Sequence, residues 1–257
     1  MSSKGVILCG GTGTRLRPVT YVTNKHLVPI INNPMVLYPL NTLKALGIDD
    51  VLIVSGGEHI GDFAEFFKDG SEYGVSMTYR VQNEAGGIAQ ALGLAKDFYQ
   101  GTDDKVVVIL GDNIFDNESI KASWKWDVPP LAQKDSASIF VKYLPPEEAT
   151  RFGVVFNVEG RRTILEKPPL EKLPQEAPVV TGLYVYPSDV FEVIKTLKPS
   201  ARGELEITDV NNHYLEKGKC GLYEIKGFWS DAGTPKSLYE AIKWEHTVSE
   251  ISTLSKD

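Results

Sequence analysis

The chain has 257 residues, of which 42% are hydrophobic, and its formal net charge is -7 at pH 7. This hydrophobic fraction is enough for a sizeable core and excludes wholesale disorder. The acidic balance argues against a protein that grips nucleic acid through a basic face, although a few local cations can still hold a small anionic ligand.

Cysteine usage and the first residues indicate a reducing, aqueous compartment. Cys9 and Cys220 are far apart and have no CxxC or CxxH neighbours, which is typical of free thiols in a cytosolic protein. The apolar stretch before the first glycines is too short for a secretory signal, and no apolar run approaches membrane-spanning length. We therefore expect a soluble, cytoplasmic protein with no membrane partner.

Short apolar runs alternate with stretches of helical period through the first half of the chain. The run VVVIL at 106–110 allows no polar face, which is typical of a strand buried on both sides. The order strand, helix, strand, helix predicts an α/β fold with a mostly parallel twisted sheet and helices on both faces. The predicted strands are 4–9, 50–56, 75–82 and 105–113, and the predicted helices run from Asn33-Pro34 to Gly47, over 59–70 and over 88–99.

The second half is less regular. The segment 168–178 carries four prolines and is predicted to be mostly loop. No internal repeat or low-complexity block divides the chain, and Pro129-Pro130 indicates a surface loop, so we expect one domain over 1–257. The predicted strands are 136–143, 152–160, 161–168 and 179–187, the segment 220–234 runs from strand to turn, and the predicted helices are 188–197, 204–218 and 235–246.

A glycine-rich turn with cations behind it follows the first predicted strand, in CGGTGTRLRPVT at 9–20. Backbone N–H groups in such a turn can hold an anion, and Arg15, Arg17 and Lys25 supply positive charge. The dinucleotide fingerprint fails because its last glycine position holds Leu16, and the P-loop fails because Gly13 is followed by Thr14-Arg15. A tight turn without a ligand is the alternative, but it would leave the crowded cations without a partner.

A second candidate lies where the strand 105–113 ends. Asp112 is at the carboxyl edge of the predicted sheet, where open α/β sheets bind ligands. Mg²⁺ prefers one or two carboxylates together with substrate phosphates and waters. A simple turn cap is the alternative role for an Asp that follows a glycine.

These segments resemble the sugar-1-phosphate nucleotidylyltransferases, and within them the glucose-1-phosphate thymidylyltransferases. The family signature is a glycine loop GGxGTRL, then P-x-T and K-x-x-x-P, which here is GGTGTRLRPVT followed by Lys25 and Pro29. Further motifs match in order, and together with the signature they cover the chain from about its fourth residue to its penultimate helix. They are VQNEAGGIAQAL (81–92), LGDN (110–113), RFGVV (151–155), LEKP (165–168), VTGLY (180–184), SARGELEITDVN (200–211) and WSDAGT (229–234).

The resemblance implies a Rossmann-like nucleotide-binding core over 1–115 and a sugar-binding half with a C-terminal helix over 116–257. It implies a transfer of the nucleotidyl group from dTTP to glucose 1-phosphate, with Mg²⁺ as cofactor. The attacking phosphate is largely dianionic at pH 7, so no histidine is needed, and catalysis must come from positioning and charge neutralisation.

The family motifs also imply roles for single residues. Arg15 and Lys25 are the expected catalytic residues, because a planar guanidinium can bridge two phosphates and an ammonium can draw off charge. Asp112 and Asp231 are the expected Mg²⁺ ligands, and an Asx-type turn before Gly233 is the alternative for Asp231. The expected nucleotide-binding residues are Gly10, Gly11, Gly13, Thr14, Arg15, Gln82 and Gly87, and the expected sugar-phosphate-binding residues are Asn113, Gly153, Glu166, Lys167 and Val180.

The chain departs from the family in two places. Many members continue into further C-terminal helices that bear on assembly and on a second nucleotide site. We therefore expect a short form without feedback inhibition through that site, in which the homo-oligomers usual in the family use another surface. The proline-rich loop 168–178 matches no motif, and it is expected to border the sugar site.

Three alternatives remain. The same reaction can use UTP or another hexose 1-phosphate, because an apolar pocket separates thymine from uracil by only ~1–3 kcal/mol. A non-catalytic sensor of nucleotide-sugars is disfavoured because Arg15, Lys25 and Asp112 are all present. An NAD-dependent oxidoreductase is disfavoured by the missing glycine at position 16.

Overall fold

The structure is a computed structural model that describes residues 3–100, 105–123 and 133–254. In chain order its strands are β1 (Ser3–Cys9), β2 (Pro29–Ile30), β3 (Asn33–Pro34), β4 (Ile48–Gly56), β5 (Ser76–Gln82), β6 (Val106–Leu110), β7 (Ile114–Phe115), β8 (Ala137–Leu144), β9 (Gly153–Val158), β10 (Arg161–Glu166), β11 (Ala177–Tyr186), β12 (Cys220–Glu224) and β13 (Trp229–Ser230). Its α-helices are α1 (Leu37–Ala45), α2 (Ile60–Phe67), α3 (Ile88–Gly93), α4 (Asn117–Ser123), α5 (Pro146–Ala149), α6 (Val190–Thr196), α7 (Ile207–Glu216) and α8 (Pro235–Leu254).

The first half builds a parallel sheet with β1 at its centre. β4 and β6 flank β1 on either side, and β5 lies beyond β4, all in parallel pairs. Leu8 on β1 is opposite Val54 on β4 and Leu110 on β6. The carboxyl ends of these strands therefore meet at one edge of the sheet, as the sequence predicted.

The second half extends the same sheet through β11. This strand pairs antiparallel with β6, β8 and β9, while β10 continues from β9 and β12 pairs parallel with β8. Among the described residues the sheet has nine strands. The α/β fold class is confirmed, and the antiparallel pairs around β11 were not predicted. The division at residue 115 into two functional halves stays a prediction.

The core occupies both faces of the sheet, because successive side chains of a strand point to opposite sides. Val6 and Leu8 of β1 pack with α3, α6 and α7 on one face. Ile7 and Cys9 pack with α1 and α2 on the other. In the described part of the chain, no helix is both long enough and apolar enough to cross a membrane.

Two predicted helices of the first half differ clearly from the structure. Asn33-Pro34 does not start a helix: it forms β3, which pairs with β2, and α1 begins only at Leu37. The helix predicted over 88–99 ends as α-helix at Gly93 and resumes as a 3₁₀ turn at Lys96–Tyr99.

The last helix, α8, runs to Leu254, beyond the predicted end at 246. The residues after 246 contain neither glycine nor proline, so nothing in the sequence stops the helix there. The short elements β7, α4 and α5 were not predicted. The segment 168–178 is mostly loop, as predicted, with a 3₁₀ turn at Leu170–Lys172, whereas Pro129-Pro130 lies outside the described residues.

Candidate active site

The glycine loop turns the chain sharply at the carboxyl end of β1. Gly11 and Gly13 have φ values of 95° and 62°, in the left-handed region that favours glycine. The carbonyl of Gly13 accepts hydrogen bonds from Leu16 N at 2.9 Å and Thr20 Oγ1 at 2.7 Å, which begins a 3₁₀ turn. A β-carbon at Gly13 would lie 2.9 Å from Thr20 Cγ2, so a larger residue at this position would displace Thr20 and change the loop.

A cavity of about 390 Å³ opens at the carboxyl ends of β1, β5 and β6. Gly13 and Thr14 belong to the loop but do not line the cavity, so their expected contact with the nucleotide gains no support from the geometry. The other predicted site residues all line it: Gly10, Gly11, Arg15, Lys25, Gln82, Gly87, Asp112, Asn113, Gly153, Glu166, Lys167, Val180 and Asp231. The structure thus brings residues from both halves together, and their individual roles stay predictions.

Other lining residues were not singled out from the sequence: Arg151, Phe152, Arg202, Thr208 and Trp229. All five fall inside the matched motifs RFGVV, SARGELEITDVN and WSDAGT, so the motifs were the available signal. Glu204 and Glu206, which lie just before α7, also line the cavity. No residue of the loop 168–178 lines the cavity, although the loop begins directly after Lys167, which does. That this loop borders the sugar site stays a prediction.

Lys25 and Asp112 form an ion pair on the cavity wall, with 2.5 Å between Nζ and Oδ2 and side chains only 15% and 12% exposed. Burial raises the pKa of the Asp112 carboxyl, but the positive charge of Lys25 and hydrogen bonds from Lys25 and Asn113 more than offset it, so the pKa lies below its ordinary value. Asp112 is therefore an anion at neutral pH. The loop after β1 is tied electrostatically to the end of β6.

His26 lies beside this pair and is buried. Burial and the charge of Lys25 lower the pKa of its imidazole from 6.5 to about 3. Its Nδ1 lies 2.7 Å from Asn24 Oδ1, which also accepts from the His26 backbone N–H at 2.9 Å. His26 is therefore a buried residue whose ring is neutral at pH 7.

Asp231 lines the cavity from the turn that follows β13. It follows β13, which pairs with β7, and β7 begins just after Asn113. Asp231 Oδ1 accepts from Arg151 Nη2 at 3.2 Å, so this carboxylate is also paired with a cation. A β-carbon built on Gly233 would lie 3.5 Å from both Arg15 Nη2 and Asp112 Oδ2. The turn after Asp231 therefore adjoins the Arg15 and Asp112 side chains.

The two carboxylates suit a magnesium ion. No cluster of three or more potential metal-ligating side chains occurs within the described residues, which disfavours a cage built of protein ligands alone. Mg²⁺ commonly takes one or two carboxylates and completes its shell with waters and phosphate oxygens. Asp112 and Asp231 line one cavity, and Asp112 is ionised, so the donor set fits.

Asn113 was expected to contact the sugar, but most of its amide is used within the protein. Its Oδ1 accepts from Trp229 Nε1 at 2.7 Å and from Gly182 N at 2.9 Å, and its Nδ2 donates to Asp112 Oδ1 at 3.0 Å. A β-carbon on Gly182 would lie 2.5 Å from Asn113 Cγ. One N–H of Asn113 remains for a ligand, and its clearest function here is to orient Asp112 and Trp229.

Glu166 lies at the end of β10 and is held by three neighbours. Thr208 Oγ1 donates to its Oε2 at 2.7 Å, while Arg202 Nη2 and Lys167 Nζ each lie 3.3 Å from its Oε1. Arg202 also pairs with Glu206, at 2.8 Å. This network joins β10 to the N-terminus of α7 and fixes the acidic group on the second-half wall of the cavity.

Comparison with known proteins gives consistent matches over nearly the whole chain. A family model described as nucleotidyl transferase matches residues 4–247. A glucose-1-phosphate thymidylyltransferase of Neisseria meningitidis is 41% identical over 254 residues, covering 98% of this chain and 85% of the relative. One from Actinoplanes is 34% identical over 252 residues, covering 96% of this chain and 79% of the relative.

Two solved structures extend the comparison. A Bacillus anthracis protein described as a glucose-1-phosphate thymidylyltransferase, in complex with a sucrose, superposes with a TM-score of 0.83 at 48% identity and covers 95% of each chain. A UDP-glucose pyrophosphorylase complexed with UDP-glucose has a TM-score of 0.80 at 22% identity, covering 96% of this chain and 99% of that one. At that identity the second likeness shows the fold alone.

The buried His26 predicts a pH-dependent stability. The pKa of His26 is lower in the folded protein than in the unfolded chain. Between about pH 6.5 and pH 3 the imidazole is therefore protonated in the unfolded chain but neutral in the folded protein, and the folded protein loses stability as the pH falls. Between pH 7 and pH 5 this loss amounts to about 2 kcal/mol. Urea unfolding of His26→Gln should show a correspondingly smaller drop over that interval. His246→Gln, at an exposed site on α8, is the matched control and should keep the wild-type drop. An unchanged drop in His26→Gln would contradict the assignment.

Proposed function

This chain belongs to the nucleotidyl transferase family, and on that premise we propose that it joins dTTP and α-D-glucose 1-phosphate into dTDP-glucose with release of pyrophosphate. The chain is a nucleotidyltransferase. Its substrates are inferred from its relatives, which are named glucose-1-phosphate thymidylyltransferases. The observation that carries the proposal is that three cationic side chains and two carboxylates line the same cavity: Arg15, Lys25, Lys167, Asp112 and Asp231.

The proposed reaction is a displacement at the α-phosphorus of the triphosphate. An oxygen of the sugar phosphate forms a bond to that phosphorus while the bond to the β-phosphate oxygen breaks, and pyrophosphate leaves with the electron pair. The attacking phosphate has a second pKa of about 6, so it is already largely dianionic at pH 7 and needs no base. The neutral His26 agrees with a reaction in which no histidine moves a proton.

The main obstacle is the repulsion between two anions, so side chains that cancel negative charge supply the catalysis. Arg15 is proposed to bridge the α-phosphate and the leaving pyrophosphate with its planar guanidinium. Lys25 is proposed to draw charge from the attacking side, and Lys167 to hold the sugar phosphate. Because Lys25 is already paired with Asp112, a phosphate oxygen competes with that carboxylate for the ammonium.

Asp112 and Asp231 are the residues proposed to hold Mg²⁺. A bound Mg²⁺ would neutralise charge on the triphosphate. The chain's own contribution is to orient the two carboxylates and to keep Asp112 ionised. Asn113 orients Asp112, and Arg151 holds Asp231.

The remaining walls are proposed to select the base and the sugar. Gln82 and the backbone near Gly87 are proposed to read the pyrimidine, with Gly10 and Gly11 lying against the base and ribose. Glu166 is proposed to accept hydrogen bonds from sugar hydroxyls, since a carboxylate can serve two neighbouring hydroxyls. Asn113, Gly153 and Val180 are proposed to complete the hexose site. Cytoplasmic location stays a prediction from the cysteines and the first residues, and homo-oligomerisation stays a prediction from the family resemblance.

The substrate proposal is tested by pyrophosphate release. The enzyme is incubated with glucose 1-phosphate, Mg²⁺ and one of dTTP, UTP, CTP or ATP. Release is expected to be fastest with dTTP, with some turnover of UTP because a single methyl separates the two bases. Release with UTP alone would overturn the assignment of the base. The absence of release with all four would favour a nucleotide-sugar sensor.

Arg15→Ala should lower kcat by about 10²–10³, because a charge-stabilising donor acts mainly in the transition state. The KM for dTTP should rise much less. Steady-state kinetics with varied dTTP separate the two effects. Arg17→Ala is the matched control, since Arg17 stacks on Tyr21 at 4.9 Å and does not line the cavity. A loss in Arg15→Ala confined to KM would contradict a transition-state role.

Asp112→Asn should abolish Mg²⁺-dependent turnover while leaving the far-UV circular dichroism unchanged. The amide keeps the shape of the side chain but loses the charge that attracts the metal. Mn²⁺ binding, followed by electron paramagnetic resonance, should weaken in parallel. Asp116→Asn is the control, because Asp116 bonds Ser119 and the Glu118 backbone outside this cavity. Full activity in Asp112→Asn would remove this residue from the metal site.

A further inference from the structure

A hydrogen bond between two glutamines lies behind the wall that is proposed to take the base. Gln82 ends β5 and is 8% exposed, with its side chain on the cavity. Its Nε2 donates to Oε1 of Gln90 at 2.6 Å. Gln90 is on α3 and does not line the cavity, so it reaches a bound base only through Gln82.

Both side chains are held against glycine backbone. A β-carbon on Gly10 would lie 2.8 Å from Gln82 Oε1, so this oxygen lies close to the backbone of the glycine loop, and both Gly10 and Gln82 line the cavity. A β-carbon on Gly86 would lie 2.9 Å from Gln90 Cγ and 3.1 Å from its Cδ. The two amides therefore have little room to move apart, and what remains free is rotation of the Gln82 amide about its last bond.

That rotation decides which group the base meets. A carboxamide has one acceptor oxygen and one donor NH₂, and a half-turn exchanges them. With its Nε2 committed to Gln90, Gln82 keeps Oε1 beside the glycine loop as an acceptor. Thymine and uracil carry an N–H at N3, which an acceptor can bind. Cytosine carries a lone pair at N3, and two acceptors facing each other repel.

We propose that Gln90 is a positioning residue for base selection, which fixes the Gln82 amide so that its oxygen faces the base and favours thymine or uracil over cytosine. This rests on the proposed function, because it assumes that a pyrimidine nucleotide lies against Gln82. It adds a residue outside the cavity to the determinants of substrate choice. Cytosine is disfavoured because its N3 and the Gln82 oxygen are both acceptors and leave each other without a hydrogen bond.

The test measures the ratio of kcat/KM for dTTP to kcat/KM for dCTP, with both nucleotides competing in one reaction. This ratio does not depend on the fraction of active enzyme, so a variant that is merely less stable leaves it unchanged. Gln90→Leu removes the acceptor, and its ratio should fall at least about tenfold. Gln90→Lys can only donate, which turns the Gln82 oxygen inward. Its ratio should fall further, and its turnover of dCTP should rise above wild type.

Gln90→Glu can only accept and should keep the ratio within about threefold of wild type. A carboxylate is tolerated there because the position is in the first turn of α3, where the helix dipole favours negative charge. Leu94→Ala, one turn further along and outside the cavity wall, is the packing control and should also keep the ratio.

Two results would overturn the proposal. One is a wild-type ratio in Gln90→Leu. The other is a ratio that is lost in Gln90→Glu but kept in Gln90→Lys, which would mean that Gln90 donates to Gln82. A wild-type enzyme with no preference for dTTP over dCTP is a separate outcome, because it refutes the proposed base and with it the premise.

Discussion

The cavity is organised by ion pairs between its own acids and its own cations. Lys25 holds Asp112, Arg151 holds Asp231, and Lys167 and Arg202 hold Glu166. The chain has an excess of acidic residues. The carboxylates in these pairs keep the cationic side chains directed into the cavity, whereas unpaired cations would extend into solvent. A partly buried pair gains less than its contact suggests, because both charges lose hydration. An anionic ligand that takes over one partner therefore replaces an interaction of modest net value, and the cations are already in place when it arrives.

The second half of the chain is attached to this centre through one irregular place in the sheet. The ladder between β11 and β8 shifts register between Val180 and Tyr184. There Gly182 turns its N–H to Asn113, and the same amide oxygen accepts from Trp229. The side chain of Asn113, which is next to Asp112 after the end of β6, is thus hydrogen-bonded to both β11 and β13. The antiparallel pairing of β11 with its neighbours, which the sequence did not predict, brings the second wall to the carboxyl edge of the parallel half.

The sequence was most informative where its local signals agree with the final environment. The strand β6 and the glycine loop after β1 were predicted because their signals are local: consecutive apolar residues indicate burial, and closely spaced glycines indicate a turn. Asn33-Pro34 misled, since a good helix start was overridden by pairing with β2. At the site, the motifs led to Arg15, Lys25 and Asp112. Arg151 and Arg202 were missed because a single sequence does not tell which arginines turn inward, and that depends on antiparallel pairing far along the chain.

The division of the cavity among separate structural elements bears on how enzymes of this kind acquire new substrates. The wall proposed for the base is built by β5 and α3, the one proposed for the sugar by β9 to β11 and α7, and the charged centre by the loops after β1 and β6. Substitutions in α3 or α7 can accumulate without altering the charged side chains on the loops after β1 and β6. Natural variation should therefore enlarge the repertoire of bases and sugars one wall at a time, while the phosphate chemistry stays the inherited part.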